Sequence, residues 1–208
     1  MSKYLHNLIA KGEHLHLDFK YEISDAKKIA RTFSAFANTK GGTLLIGVKD
    51  NGVIKGIQTD EELYMVESSA MIFSKPEVKY SIETWTIQDK TVLEVKIPES
   101  QNKPHLAPWK DDKWKAFIRV DDENFLADAI LVDIWKDQRK SRDVHFSSFE
   151  EEKAFLEFID QNESVSLHEV MNFKKLNYFK TKKLLSDLVY LNILDYSIHK
   201  DGTRFCLH

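Results

Sequence analysis

Between Leu15 and Ile57 the hydrophobic period changes twice, and that double switch constrains the fold more than any other feature of the chain. LHLDFKY alternates apolar and polar residues, the pattern of a half-buried strand with Leu15, Leu17 and Phe19 on one face and His16, Asp18 and Lys20 on the other. From Ser24 onward Ile29, Phe33 and Phe36 recur at helical spacing, with Ser24 and Asp25 available as N-caps. Gly41-Gly42 ends that helix, and TLLIGV follows as a buried strand rich in branched residues. Asp50-Asn51-Gly52 predicts a tight turn, after which VIKGI returns as the second strand of a hairpin.

The remaining pattern extends this start into an α+β domain. Residues 61–73 read as a helix, and KYSIETWTIQDKTVLEVKIPES as two alternating strands joined at Gln88-Asp89-Lys90. Two prolines make residues 103–108 a loop, KAFIRV is a short strand, and residues 127–135 form a helix that closes the domain. Helices and antiparallel connections in this order predict a mixed or antiparallel sheet with flanking helices rather than a parallel doubly wound one. The charged run KDQRKSRD reads as a linker, which sets the expected domains at residues 1–140 and 141–208. Beyond Phe146 come the amphipathic EEEKAFLEFI, then SLHEVMNF with Ser166 and Glu169 as a capping box, then a helix over 177–191. Two short strands follow around Lys200-Asp201-Gly202. Three helices and a hairpin are the order of a small winged-helix domain.

Charge limits what such a protein can bind. The chain has 30 basic and 33 acidic residues and a formal net charge of -3, so a nucleic-acid site must be a local patch rather than the whole surface. The single cysteine, Cys206, leaves no internal disulfide framework or cysteine-rich zinc site. No long apolar run suggests a signal peptide or a membrane span, and a cytoplasmic protein with no membrane partner is expected.

Three constellations carry chemistry. Glu13 and Asp18 lie at the first strand and Asp50 at the end of the next, so adjacent strands could converge three carboxylates on one rim. Magnesium or manganese takes oxygen ligands of that kind, and Lys20 could neutralise a scissile phosphate beside them. The competing reading makes Asp50 a turn residue and Asp18 a solvated strand residue. Second, the glycine pair within Thr39 to Thr43 could present backbone N–H groups to a phosphate, as a nucleotide site for ATP would. It is no Walker loop, and Asn38, Gly41 and Gly42 equally suit a helix C-cap. Third, Lys174, Lys175, Lys180, Lys182 and Lys183, interleaved with Tyr178 and Phe179, open the helix that would read nucleic acid in a winged helix. His14 and His16 are spaced for chelation but suit ordinary surface histidines better.

Taken together, GEHLHLDFK, AFANTKGGTLLIGVKDNGVIKGI and KAFIRVDDENFLA resemble the Schlafen AlbA_2 domain over about residues 12–135. In prokaryotes that domain often precedes a winged helix. The resemblance implies nucleic-acid binding and transcriptional regulation, while older naming placed the group with ATP-binding proteins. Some animal relatives are metal-dependent endoribonucleases whose two glutamates and one aspartate correspond to Glu13, Asp18 and Asp50. The second glutamate is thus an aspartate here, shorter by one methylene. Those nucleases also use two such domains in tandem, where a homodimer of this chain would be needed. The leading expectation is a homodimeric DNA-binding regulator, with DNA preferred over RNA. Its contacts would be Lys20, Asn38, Thr39, Lys40 and the five lysines from Lys174 to Lys183. A metal-dependent endoribonuclease and a nucleotide-binding protein are the alternatives.

Overall fold

A computed structural model describes residues 2–57, 59–139 and 149–208, and its packing divides between Leu126 and Ala127 into two units. In the amino-terminal unit α1 (Ser2–Ile9) precedes β1 (Leu17–Lys20), α2 (Ala26–Asn38) and β2 (Gly42–Ile46). Then come α3 (Glu61–Met71), the hairpin β3 (Ser81–Ile87) and β4 (Lys90–Ile97), and the strands β5 (Leu106–Pro108), β6 (Trp114–Val120) and β7 (Glu123–Leu126). The larger sheet runs β1-β2-β4-β3, with β1 and β2 parallel and the other pairs antiparallel. It is the mixed sheet that the hydrophobic pattern predicts.

Helix α2 is the centre of this unit. Asp25 caps it by accepting from Lys27 N at 2.8 Å. One side sends Ile29, Phe33, Phe36 and Ala37 against Leu44, Ile46, Leu93, Val95 and Ile97, with Val66 and Ala70 of α3 in the same cluster. Each buried Phe of this set contributes about 1.5–3 kcal/mol relative to exposure. The opposite sheet face buries Leu17, Phe19, Leu45 and Val92 with Leu5 of α1. The other side of α2 lies on β5-β6-β7 through Ala30, Ala35, Ala107 and Phe117. An ordinary surface helix exposes a polar face, but from Thr32 to Thr39 every residue of this segment is buried.

Two expectations change. VIKGI is no strand: only Val48↔Ile54 bridges there, and Lys55 N and Gly56 N both donate to Gly47 O at 2.8 and 2.9 Å. Gly47 has φ +96, and a Cβ there would stand 3.0 Å from the Gly56 backbone, so the loop folds back through a glycine-only approach. The prolines at 103–108 do not prevent β5 either, because it is a short edge strand.

The carboxy-terminal unit holds α4 (Ala129–Gln138), α5 (Phe149–Gln161), β8 (Val165–Ser166), α6 (Leu167–Lys174), α7 (Tyr178–Tyr190), β9 (Leu194–His199) and β10 (Gly202–Leu207). Its sheet order is β8-β10-β9. Helix α4, read from the sequence as closing the first domain, belongs here instead, since Ile130 and Ile134 join Phe155, Ile159, Leu185, Leu188 and Phe205 in one core. Asp128 ties its start to the hairpin, accepting Leu131 N at 2.8 Å through Oδ1 and both Thr203 N and Oγ1 at 2.8 Å through Oδ2. The boundary therefore falls at Leu126/Ala127 and not at residue 140. The first half of the linker run finishes α4 and its C-cap Arg139, and the second half, residues 140–143, lies outside the described residues.

Candidate nucleic-acid interface

Asp18 is only 3% exposed, because β6 carries Arg119, itself 2% exposed, over the polar face of β1. Arg119 Nη2 lies 3.0 Å from Asp18 Oδ1 and donates to Leu17 O at 3.2 Å, while Nη1 donates to Asn124 Oδ1 at 3.1 Å. The Arg119 guanidinium also lies 5.2 Å from the centre of the Phe36 ring. On the other side the Lys20 ammonium approaches Asp18 Oδ2 to 2.6 Å, out of hydrogen-bond alignment, and donates to Phe19 O at 2.7 Å. Asp18 is therefore an internal, doubly neutralised carboxylate and not a solvated strand residue. Beside it, Glu13 Oε1 accepts from Phe19 N at 2.8 Å. Burial pushes the Glu13 carboxyl above its ordinary range and the Asp18 charge adds to that, against the opposing Phe19 N–H.

Asp50 does not join them. Among the described residues no three carboxylate, imidazole or thiol groups meet where one metal ion could be held. A divalent ion at Asp18 would have to displace the Lys20 ammonium while facing the Arg119 guanidinium, so the donor set does not fit magnesium or manganese. The His14 and His16 rings lie 6.2 Å apart, and His16 Nδ1 faces Gly41 O at 3.1 Å.

Asp50 instead lines an open cleft of about 820 Å³ at the carboxyl ends of β1 and β2, with Lys20, Tyr21, Glu22, Lys49, Asn51 and Lys55. Lys49 and Lys55 flank the Asp50-Asn51-Gly52 turn, are exposed, and enter no ion pair among the described residues. Sequence reasoning missed both lysines, although their placement on either side of a strong turn was the available signal. It also missed Arg119, whose signal was a lone charge inside the apolar run KAFIRV.

The AFANTKGG segment serves the interior. Asn38 is fully buried; Nδ2 donates to His105 O at 2.8 Å and Phe117 O at 3.0 Å, and Oδ1 accepts His105 N at 2.7 Å. Thr39 Oγ1 donates to Ala35 O at 2.7 Å and accepts Arg119 N at 2.9 Å. Neither residue can touch nucleic acid as expected, because each pins α2 to the backbone of the smaller sheet. The supposed phosphate cradle is likewise closed: Thr39 N and Gly41 N both donate to Phe36 O, at 3.1 and 2.9 Å, and Thr43 N donates to His16 O at 2.8 Å. A Cβ on Gly42 would fall 2.4 Å from the Phe36 ring. Lys40 alone of this group faces outward, 67% exposed with Glu99 Oε2 4.0 Å away. It lines a second cleft of about 540 Å³ with His16, Lys79 and Lys96.

The five lysines between Lys174 and Lys183 divide. Lys174 pairs with buried Glu152 at 3.2 Å, and Lys182 pairs with Asp133, which raises its own affinity for the proton. Lys183 reaches Asp187 at 3.0 Å along the helix. Lys175 and Lys180 are exposed with no ion pair among the described residues. Between them Tyr178 and Phe179 lie 38% and 74% exposed at the start of α7, which Asn177 caps by accepting Lys180 N at 3.0 Å.

The family described as Schlafen, AlbA_2 matches residues 13–128. Among solved structures, the DIP2311 protein of Corynebacterium diphtheriae is similar at 16% identity with a TM-score of 0.50. That match covers 91% of this chain and 34% of the other, so the chain spans about a third of that protein's length. The N-terminal domain of a Nitrosomonas europaea protein described as related to the ATP-dependent DNA helicase RecG is similar at 20% identity with a TM-score of 0.41. It covers 70% of this chain and 96% of that domain. Among the described residues no helix is long and apolar enough to cross a membrane.

Proposed function

The chain belongs to the Schlafen AlbA_2 family, and from that premise we propose that it binds nucleic acid, duplex DNA first, as a regulator rather than a nuclease. The observation that carries this reading is the cleft at the ends of β1 and β2, where Lys49 and Lys55 project beside Lys20, Glu22 and Asp50 and enter no ion pair among the described residues. Lysines at the rim of a rigid sheet suit phosphates, which position a duplex without reading its sequence. In the carboxy-terminal unit we read α5, α6, α7 and the β9–β10 hairpin as a winged helix, with α7 as its recognition helix. Exposed Lys175, Lys180 and Phe179 then form a second contact surface.

Salt dependence tests this directly. Each lysine that neutralises a phosphate of duplex DNA contributes about 0.9 to the slope of log K against log salt. Lys49→Ala with Lys55→Ala is expected to lower the slope by about 1.8 on that basis, with unchanged circular dichroism. An unchanged slope removes the cleft from the interface. Manganese-dependent cleavage of transfer RNA, lost in Asp50→Ala, would replace holding with cutting.

A further inference from the structure

The two edges of the larger sheet are finished differently. At β1 the protein occupies its own edge: Glu13 Oε1 accepts Phe19 N, Arg119 Nη2 donates to Leu17 O, and His14 O accepts Leu17 N at 3.1 Å. Nothing comparable meets β3. Among the described residues, the backbone of Ser81–Ile87 hydrogen-bonds only along its ladder to β4. That ladder runs in unbroken register for all seven residues, and a typical strand has about five or six. Edge strands are ordinarily shortened, bulged, or broken by proline or lysine so that other chains cannot pair with them. SIETWTI is not shortened, bulged, or broken by proline or lysine; its one charge, Glu83, is paired with Lys96 of β4 at 3.0 Å, and Ile82, Thr84 and Thr86 are exposed and β-branched.

We propose that β3 is a self-association edge: two copies of the chain pair antiparallel about a two-fold axis at Thr84, joining two four-stranded sheets into one of eight. A two-fold axis normal to a sheet sets opposed residues on the same face, so each possible register is centred on one residue. Centring on Glu83 would oppose two carboxylates directly, a destabilising pair, and would pair only residues 81–85. A Trp85 centre pairs only residues 83–87. The Thr84 register uses all seven, opposing Thr84 with Thr84, Ile82 with Thr86, and Glu83 with Trp85. Each Glu83 keeps its own counter-ion, with Lys96 at 3.0 Å.

Sedimentation of the full chain over a concentration series tests this surface. The wild type is expected to form a species of twice 24.3 kDa, and Thr84→Lys, which opposes two ammonium groups at the axis, to remain monomeric with unchanged circular dichroism. In a Cys206→Ser background, Thr84→Cys should cross-link on mild oxidation. Opposed residues on paired strands lie about 4.5–5.5 Å apart at Cα, inside the range a disulfide spans. Glu83→Cys should not cross-link, because it faces Trp85. A wild type that stays monomeric throughout, or a Thr84→Lys protein that still dimerises, overturns the surface. Cross-linking at Glu83→Cys in place of Thr84→Cys overturns the register.

Discussion

Replacing Arg119 with methionine tests the interior account of Asp18. The substitution keeps much of the apolar stem but removes the guanidinium that stands 3.0 Å from Asp18 and bonds Leu17 O and Asn124. Deleting one partner of a buried ion pair costs about 3–5 kcal/mol, because the other charge is left in a medium that solvates it poorly. Lys20 remains at 2.6 Å from Asp18 and is 37% exposed, which places the expected loss near the lower end, about 3 kcal/mol. Adding Asp18→Asn removes the stranded charge. What then remains is the loss of donors to Leu17 O and to the Asn124 side-chain amide oxygen, about 0.5–1.5 kcal/mol each. The double variant should therefore be more stable than Arg119→Met alone by about 1 kcal/mol, although it carries two changes. Native-state hydrogen exchange of the β1 and β2 amides reads this unit's stability without interference from the other. A cost below about 1 kcal/mol for Arg119→Met, or simple additivity in the double variant, would refute the reasoning.

Two further outcomes follow from the same contacts. Asn38→Ala deletes the buried hydrogen bonds to His105 N and Phe117 O, while His105 O keeps Ser34 Oγ at 2.7 Å, and each buried group left unsatisfied costs about 1–3 kcal/mol. Thermal unfolding should therefore drop sharply, while nucleic-acid affinity per folded molecule stays constant; a variant of normal stability with weakened binding would return Asn38 to the interface. In the second unit, Ser166→Ala removes half of a capping box and should cost about 0.5–2 kcal/mol. Hydrogen bonds from Ser166 hold the Glu169 carboxyl below its ordinary value of 4.5. A lowered folded-state value gives stability that is present above 4.5 and lost as pH falls through that lowered value. The difference between wild type and Ser166→Ala in chemical denaturation should shrink over that acid window, and a difference that grows there would refute the assignment.

What the sequence revealed depended on distance along the chain. The β3–β4 hairpin was legible because Gln88 and Asp89 form a local turn with φ of 49° and 59°, and such turns join neighbouring strands. The capping box at Ser166 needs only three residues to be recognised. Alternation in LHLDFKY correctly put Asp18 opposite Leu17 and Phe19, but it holds no record that β6 would carry Arg119 across that face from about a hundred residues away. The lysine run fails similarly: Lys174 and Lys182 look identical to Lys175 and Lys180 until Glu152 and Asp133 are brought beside them. An amphipathic pattern over α4 likewise states that one face is buried without stating which core receives it.

The same distinction explains why the uncharged polar residues of SAFANTKGG turn inward. Ser34, Asn38 and Thr39 are polar, closely spaced and next to a glycine pair, the composition of a ligand loop. Yet their groups bond the backbones of His105, Phe117 and Arg119. A helix buried on two sides against two sheets must satisfy backbone groups at the seam, and small polar side chains do this without opening the packing. Such positions tolerate little change, because each one answers a fixed donor or acceptor. Among the described residues the side chains of Lys49 and Lys55 enter no ion pair. They stand on a loop anchored at Gly47, where a rigid sheet ends and solvent begins, and a group free to meet an external phosphate belongs in that position.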